Sequence, residues 1–398
     1  MTKGLAFLPW VLLRERTEIG RLRLIPWSRG KYPDDLPYAS LSDIDGVMAA
    51  YADHADHLIS SATLIEIDNW HTGQDPTPVA KALFKIRPLI GFSALADRLL
   101  FSQNFDYCNY DTYSLVVQKY QENSTKYFGF TTRRRDGGAS YIWSSDKFTF
   151  IRPYHALSCH HKLSVDSRLL DALLRVKIIP DNIIEAIEEF VLANTDSPNV
   201  PEHVELIMVK SAFERLFRIN HYKDEFCRAI KEKLEAIKAP DIEHTEYTAA
   251  WHAKRPNSAR LIECWAKEFC DMRGAAAHGA GRNNTSRFMW SEFYHLAFAS
   301  ILFPLLVKHE LMALGLISQD EEAVEKLRYI ELYLATNPDQ SETECREHPW
   351  REIPRRAMDS LRKRSYHKLI REARFWPPVA DTASTASKTS PASPPETC

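Results

Sequence analysis

The fold class follows first from residues 180–192, which read PDNIIEAIEEFVL. Apolar side chains recur at Ile183, Ile187, Phe190 and Val191, which is the spacing of one face of an amphipathic helix opened by Pro-Asp. Similar stripes follow after Pro201, around Phe226, after Ser258 and from Trp290 to Leu316. Each such helix needs another to bury its apolar face, so we predict a helical bundle over residues 163–318.

The chain before this bundle has a different pattern. It contains segments with strand-like alternation and hairpin signals, among them Asp136-Gly137-Gly138. Strands are expected at Leu5–Leu13, Arg21–Trp27, Thr63–Asp68, Tyr113–Tyr120, Lys126–Thr132, Ala139–Trp143 and Lys147–Arg152. Helices are expected over residues 42–51, from about residue 78 to Arg87, and over Gly91–Phe101. The sequence thus predicts an α+β protein whose mixed α/β domain, residues 1–162, senses or binds a ligand or partner.

Residues 319–378 are expected to add two helices, Glu322–Ala335 and Ile353–Phe375. The second helix is basic, which suits contact with RNA phosphates or a solvated helix covering the bundle. Residues 379–398 are rich in Ser, Thr, Ala and Pro, so we expect a disordered tail.

Composition limits the function classes. The chain has 398 residues, with 51 Lys and Arg against 53 Asp and Glu, so it is not a polycation built for nucleic acid as a whole. It lacks the G-x-x-x-x-G-K-[ST] and G-x-G-x-x-G patterns of nucleotide-binding loops and the G-x-S-x-G pattern of the hydrolase nucleophile elbow.

The seven cysteines are odd in number and have no C-x-x-C spacing, which favours reduced thiols and a cytoplasmic location. The most apolar stretch, Phe293–Val307, is shorter than a membrane span and carries His295 and Pro304. We interpret it as a core helix and expect no membrane association.

The segment with the most distinctive chemistry is CDMRGAAAHGAGRN, residues 270–283, at the end of an amphipathic helix. Arg273 supplies a fixed cation and His278 an imidazole that can carry protons near neutral pH. Residues five apart on a helix point about 140° from each other. We therefore expect the two side chains to converge only if the helix ends between them or if Arg273 reaches around it.

Two other Arg–His pairs have similar spacing, Arg215 with His221 and Arg362 with His367. The first has bulky residues between its members, and the second lies within the basic helix. Only Arg273 and His278 combine a helix end, small residues between the pair and a following Gly-rich turn. Context therefore singles out this pair as the candidate site.

The Arg273–His278 segment resembles the R-x4-6-H signature of the HEPN superfamily, and is most similar to ApeA-like HEPN proteins. The stretch Ser211–Phe217, with its small–aromatic–Glu pattern, resembles the upstream helix of that family. More faintly, Leu8–Leu13 and Leu24–Trp27 resemble the region that precedes the HEPN domain. Gly274 departs from the family, because active members frequently have a polar residue after the Arg.

The resemblance implies a metal-independent endoribonuclease that acts as a homodimer in antiphage defence or a toxin system, with no cofactor. Arg273 and His278 would be catalytic. Arg282 and Asn283 would contact the RNA backbone, and Glu214 would orient Arg273. A phage-derived trigger or an inhibitory partner would be expected.

The alternative is a non-catalytic HEPN-type module that binds RNA, a nucleotide or a protein. Arg273 would then pair with Asp271 or Glu268, and His278 would cap a helix end. A third hypothesis, a metal site at His155, Cys159, His160 and His161, lacks a second ligand pair at a recognisable spacing. No metal is therefore expected.

Overall fold

The computed structural model describes residues 2–31, 33, 36–101, 107–121, 124–133, 136, 139–144, 149–156, 163–175, 178–278, 287–339 and 347–374. These residues form nine strands followed by, and partly interleaved with, twelve α-helices, so the predicted α+β class is confirmed. The strands are β1 (Thr2–Leu8), β2 (Thr17–Ile19), β3 (Leu22–Ser28), β4 (Tyr51–Ala52), β5 (Ser61–Ile67), β6 (Val116–Gln121), β7 (Ser124–Arg133), β8 (Ala139–Ser144) and β9 (Phe150–Ile151).

The helices begin in the sheet region and continue to the end of the described chain. They are α1 (Leu41–Met48), α2 (Ala80–Leu95), α3 (Ser167–Leu174), α4 (Asp181–Leu192), α5 (Glu202–Phe217), α6 (Lys223–Glu235), α7 (Glu246–Lys254), α8 (Leu261–His278), α9 (Glu292–Ala313), α10 (Glu321–Arg328), α11 (Ile330–Ala335) and α12 (Glu352–Arg374).

The main sheet has the strand order β2-β3-β5-β1-β6-β7-β8, with neighbours antiparallel throughout. Its central strand β1 is buried on both faces. Leu5 and Phe7 pack in a cluster with α1, whereas Ala6 and Leu8 belong to the large core shared with the helices. This alternation follows from the two-residue period of a strand.

Helix α2 joins the sheet to the bundle. The Phe92 ring makes edge contacts with Phe190 of α4 at 5.8 Å and with Phe303 of α9 at 6.0 Å between centroids. A single continuous hydrophobic core therefore runs from the sheet into the helices. The domain boundary near residue 162 stays a prediction.

The two helices expected around Arg87 and Gly91 are in fact one, and this prediction was wrong. Pro88 lies inside α2 and has no N–H for the carbonyl of Phe84, but Phe84 is exposed and its carbonyl can bind water. Gly91 permits a close approach, because a Cβ there would lie 2.8 Å from the Tyr110 ring. The helix ends at Leu95 rather than at Phe101.

Two other boundaries also differ from expectation. The first strand ends at Leu8, not Leu13, where the chain turns at Pro9 and Trp10. The helix expected over Glu322–Ala335 is divided at Tyr329 into α10 and α11. The basic helix α12 forms, and its first turns pack against α10 through Ile353 and Ala357.

Helix α9 contains the most apolar stretch of the chain. By length and composition alone it could cross a membrane, but 56% of its apolar window is buried inside the protein. Leu302, Phe303 and Leu306 are fully buried in the bundle. The helix therefore packs as a core helix in this fold.

Candidate functional site

Helix α8 is held at its centre by aromatic packing. The Trp265 ring stacks on Phe269 at 4.9 Å and contacts the edge of Phe298 in α9 at 4.8 Å. Phe213 of α5 and Phe226 of α6 complete this cluster. Because large buried rings dominate core energetics, the position of α8 is set well before its last turn.

A buried carboxylate then fixes the start of α9 against α8. Glu268 is fully buried, and its Oε1 accepts hydrogen bonds from the backbone N–H groups of Met289 (2.7 Å) and Trp290 (3.1 Å). Its Oε2 lies 3.4 Å from Arg255 Nη2, and its Oε1 lies 3.4 Å from Nε2 of the buried His295. A buried charge needs such partners, so Glu268 is a structural clamp.

The acids nearest to Arg273 along the helix are already occupied. Asp271 pairs with Lys223 Nζ at 2.6 Å and with Arg255 Nη2 at 3.4 Å, and Glu268 is held as described. Within the described part of the chain no carboxylate forms an ion pair with Arg273, and its buried Nε has no hydrogen-bond partner. The expected alternative pairing with Asp271 or Glu268 is therefore not formed.

The last turns of α8 divide into a buried and an open side. Met272, Ala275 and Ala276 are buried, whereas Ala277 and His278 are exposed. Taking Arg273 as zero on the helical wheel, Ala277 lies at about 40°, Gly274 at about 100° and His278 at about 140°. On the wheel, only Ala277 and Gly274 thus lie between Arg273 and His278.

We expected the two side chains to converge if the helix ended between them, but it continues unbroken from Arg273 to His278. The open side of the helix gives a different way for one ligand to reach both residues. A Cβ added at Gly274 would meet nothing within 4 Å. A ligand can therefore rest on the surface of Gly274 and Ala277, between the helical-wheel positions of Arg273 and His278, which are about 7.5 Å apart along the axis.

Glu214 does not act on Arg273. Its carboxylate forms an ion pair with Lys210, whose side chain is almost fully buried and also lies over the Phe226 ring. The pair stays within α5, with the residues four apart. Glu214 therefore neutralises a buried lysine, and the predicted orienting role is not supported. Arg282 and Asn283 lie outside the described residues.

The two other Arg–His pairs provide internal comparisons. Arg215 is held by Glu185 at 2.8 Å and Glu189 at 2.5 Å. Arg362 and His367 lie on exposed turns of α12, with Arg362 paired to Asp359 at 3.4 Å. In the same wheel positions that Gly274 and Ala277 take in α8, α12 has the large side chains Lys363 and Tyr366.

A thiol pair next to the site was not predicted. The thiol of Cys270, one turn before Arg273, donates a hydrogen bond to Cys227 in α6, and this bond lowers the pKa of Cys227. The same bond, together with burial, raises the pKa of Cys270. The sequence gave no signal for the pair, because the two cysteines are 43 residues apart and meet only through the packing of α6 on α8.

The structure supplies no metal ligand set in the part of the chain it describes. Of the four residues considered for metal, only His155 is described, and its Nε2 lies 3.8 Å from Asp111 Oδ1. Cys159, His160 and His161 lie outside the described residues. Comparison of the chain with protein-family models, curated proteins and solved structures gives no match.

Proposed function

We propose that this protein is a metal-independent endoribonuclease of the HEPN type whose site is the open side of the last turns of α8. The single observation that carries the proposal is the Arg273 guanidinium, which has no ion-pair partner among the described residues and flanks an open surface that leads to His278. An arginine in this state is suited to bind a phosphate through two parallel hydrogen bonds.

The reaction would use the 2′-hydroxyl of the RNA. Its oxygen attacks the adjacent phosphorus, the bond from phosphorus to the 5′-oxygen breaks, and a 2′,3′-cyclic phosphate and a 5′-hydroxyl result. His278 can accept the 2′-hydroxyl proton or protonate the leaving oxygen. Arg273 would stabilise the charge that develops on the phosphorane oxygens.

One imidazole cannot easily act as base and acid in the same step. A homodimer that brings two copies of His278 to one cleft would supply both groups, and a two-fold axis would make the two sites equivalent. The exposed cations of α12, among them Arg356, Lys363 and Lys368, would hold the RNA backbone and make binding fall with salt. Defence or toxin activity in the cytoplasm, with a phage-derived trigger or an inhibitory partner, extends the same proposal.

The experiment is cleavage of end-labelled single-stranded RNA in EDTA by the wild type, Arg273→Ala and His278→Ala. We expect kcat to fall about 10²–10³-fold without Arg273 and about 10²–10⁴-fold without His278. His278 is exposed, and Arg273 forms no ion pair among the described residues, so circular dichroism and unfolding should change little. The wild-type products should carry 2′,3′-cyclic phosphate ends.

The matched control is the pair Arg362 and His367, which has the same five-residue separation as Arg273 and His278. Arg362→Ala and His367→Ala remove the same two residue types from α12, where bulky side chains fill the surface between them. They should raise KM at most and leave kcat unchanged. Equal losses of kcat in both pairs, or cleavage abolished by EDTA, would contradict the proposal.

A non-catalytic RNA-, nucleotide- or protein-binding module is favoured by one specific observation, the unbroken course of α8 through the motif. Because the helix is intact, the imidazole and the guanidinium are separated, and only a ligand that spans the gap can contact both. This alternative predicts that the wild type retards RNA on a native gel without producing new ends. It also predicts that His278→Ala binds as the wild type does.

A further inference from the structure

A cavity of about 480 Å³ lies where the end of α2 meets α9, α10 and the first turns of α12. A second cavity of about 250 Å³ adjoins it, since both are lined by Arg98, Leu99, Glu322 and Lys326. Exposed residues such as Leu99 and Arg355 line the larger cavity together with buried ones, so it is a cleft that opens to solvent. The larger volume is within the range of sites that enclose a drug-sized molecule.

The walls of this cavity, here called the α2–α12 cleft, are largely apolar. Its lining includes Leu95, Pro304, Leu305, Tyr333, Trp350 and Ile353. Most of these side chains are buried within the fold, so they form fixed walls rather than a loose rim. Such walls favour a ligand with an aromatic or aliphatic body, because burying apolar surface is the main favourable term in binding.

Arg98 places a cation at the cleft whose contacts in the described chain are with neutral groups, including the Tyr107 ring at 5.7 Å. Its Nη1 donates to the carbonyl of Cys108 at 2.9 Å and its Nη2 donates to the side-chain oxygen of Asn194, both neutral acceptors. Its Nε is buried without a hydrogen-bond partner. Among the described residues, no carboxylate pairs with Arg98.

The other cations around the cleft differ from Arg98 in this respect. Lys308 is paired with Asp166 at 2.6 Å, Lys326 with Glu322 at 2.6 Å and Arg362 with Asp359 at 3.4 Å. Arg351 is paired with Glu347 at 2.7 Å and Arg355 with Glu352 at 2.7 Å. Among the described residues that line the larger cavity, Arg98 is therefore the cation without a carboxylate partner. It lies at the junction of the two cavities, so an anionic group bound there can place its apolar body in the larger one.

We propose that the α2–α12 cleft is a binding site for a small organic anion with an apolar body, whose acidic group is bound by Arg98. Because the walls come from α2 of the sheet region and from α9, α10 and α12, an occupant contacts both halves of the fold. This site is separate from the surface of Arg273 and His278, and it does not depend on the ribonuclease proposal.

The test uses two probes of nearly the same shape on the full chain. One is 1-anilinonaphthalene-8-sulfonate, which carries a sulfonate. The other is N-phenyl-1-naphthylamine, which is uncharged. Titration calorimetry and probe fluorescence should show saturable binding of the sulfonate with one molecule per chain, and weaker binding of the neutral probe.

Three variants locate the binding. Arg98→Met should weaken binding of the sulfonate probe about tenfold and change binding of the neutral probe less than about twofold, because only the sulfonate is attracted by the charge. Met358→Trp, which adds bulk to a half-buried lining residue, should weaken both probes. Arg356→Met, at an exposed position of α12 outside the lining, should change neither.

Some results would overturn the proposal even if Arg98→Met fails to fold. They are sulfonate binding that does not saturate at one per chain, and full binding by Met358→Trp. A variant that ends at Arg374 and binds the sulfonate tenfold more tightly would assign the cleft to the chain's own C-terminal segment instead. Each measurement is made without RNA, so its outcome is independent of cleavage.

Discussion

The two ends of helix α8 handle charge in opposite ways. Over its first three turns each buried ionic group has a partner, as Glu268 has Arg255 and two backbone N–H groups. In its last turns Arg273 has none among the described residues, and His278 lies in solvent. The first arrangement stabilises the fold, whereas the second leaves a cation and an imidazole available to a ligand. The difference indicates where to look for function in this chain.

The largest expected effect comes from breaking the paired end. Glu268→Ala removes the acceptor for Met289 and Trp290 N–H and leaves Arg255 without one of its two carboxylates. Removing one partner from a buried ion pair costs about 3–5 kcal/mol, so the urea midpoint should fall steeply. His278→Ala at the open end should change stability by less than about 0.5 kcal/mol.

Glu268→Gln separates charge from shape in the same experiment. The amide oxygen can still accept hydrogen bonds from the backbone, so we expect about half of the fall in unfolding free energy that Glu268→Ala causes. If Glu268→Ala and His278→Ala unfolded at the same urea concentration, the distinction between the two ends of α8 would be untenable.

A carboxyl group that keeps its proton in the folded chain lies at the start of α5 and gives a pH test. Burial raises the pKa of Glu205 to about 8, and the negative charges of Asp196, Glu202 and Asp111 add to this rise. The folded chain therefore holds a proton that the unfolded chain loses near pH 4.5. Stability should fall as pH rises from about 4.5 to 8, because the folded state binds more protons over that range.

Glu205→Gln fixes the neutral form at this position. It should flatten the decline and stabilise the protein by about 1–2 kcal/mol at pH 8.5, after allowance for partial solvent access. Thermal melts from pH 5 to 9 measure this. Glu243→Gln, at an exposed position, serves as the charge-matched control and should leave the profile as it is. A wild-type profile without any decline would show that Glu205 is ionised in the fold.

The sequence predicted the parts of this fold that depend on local pattern. The alternation at Leu64 to Ile67 became β5, and the stripe at Ile183, Ile187 and Phe190 became a buried face of α4. The helix expected to end near Arg87 continues through Pro88, because a proline within a helix is tolerated when the carbonyl that loses its hydrogen bond is at the surface. That condition depends on exposure, which a local pattern does not contain.

The candidate site was also identified from a local pattern, and its function stays a prediction. Arg273 and His278 were identified by their spacing and by the small residues between them. Arg273 has no acidic partner because the nearby acids bind residues that are distant in sequence. Asp271 is bound by Lys223, 48 residues away, and Glu268 by the backbone of residues 289 and 290. The ion pair of Glu214 with Lys210 could not be expected from the sequence, because the burial of a lysine side chain is decided by neighbouring helices.

The smallest expected effect tests the open end of α8 directly. Gly274→Ala replaces glycine inside a helix at a point where a Cβ meets nothing within 4 Å. We expect stabilisation by about 0.5–1 kcal/mol, because alanine loses less conformational freedom in a helix. The contrast is Gly315→Ala, which should destabilise, since Gly315 has a φ of +68° that alanine adopts only with strain. Differential scanning calorimetry compares the two.

Gly274→Leu then distinguishes a stable helix end from a usable one. Leucine is also a good helix former, so stability should stay at or above that of the wild type. Its side chain fills the surface between Arg273 and His278, so a bridging phosphate can no longer lie there, and we expect RNA cleavage to fall at least about tenfold, whereas Gly274→Ala keeps most of it. If Gly274→Leu cleaves as the wild type does, the phosphate does not rest on this face of α8. Arg273 and His278 of one chain would then not contact the same phosphate.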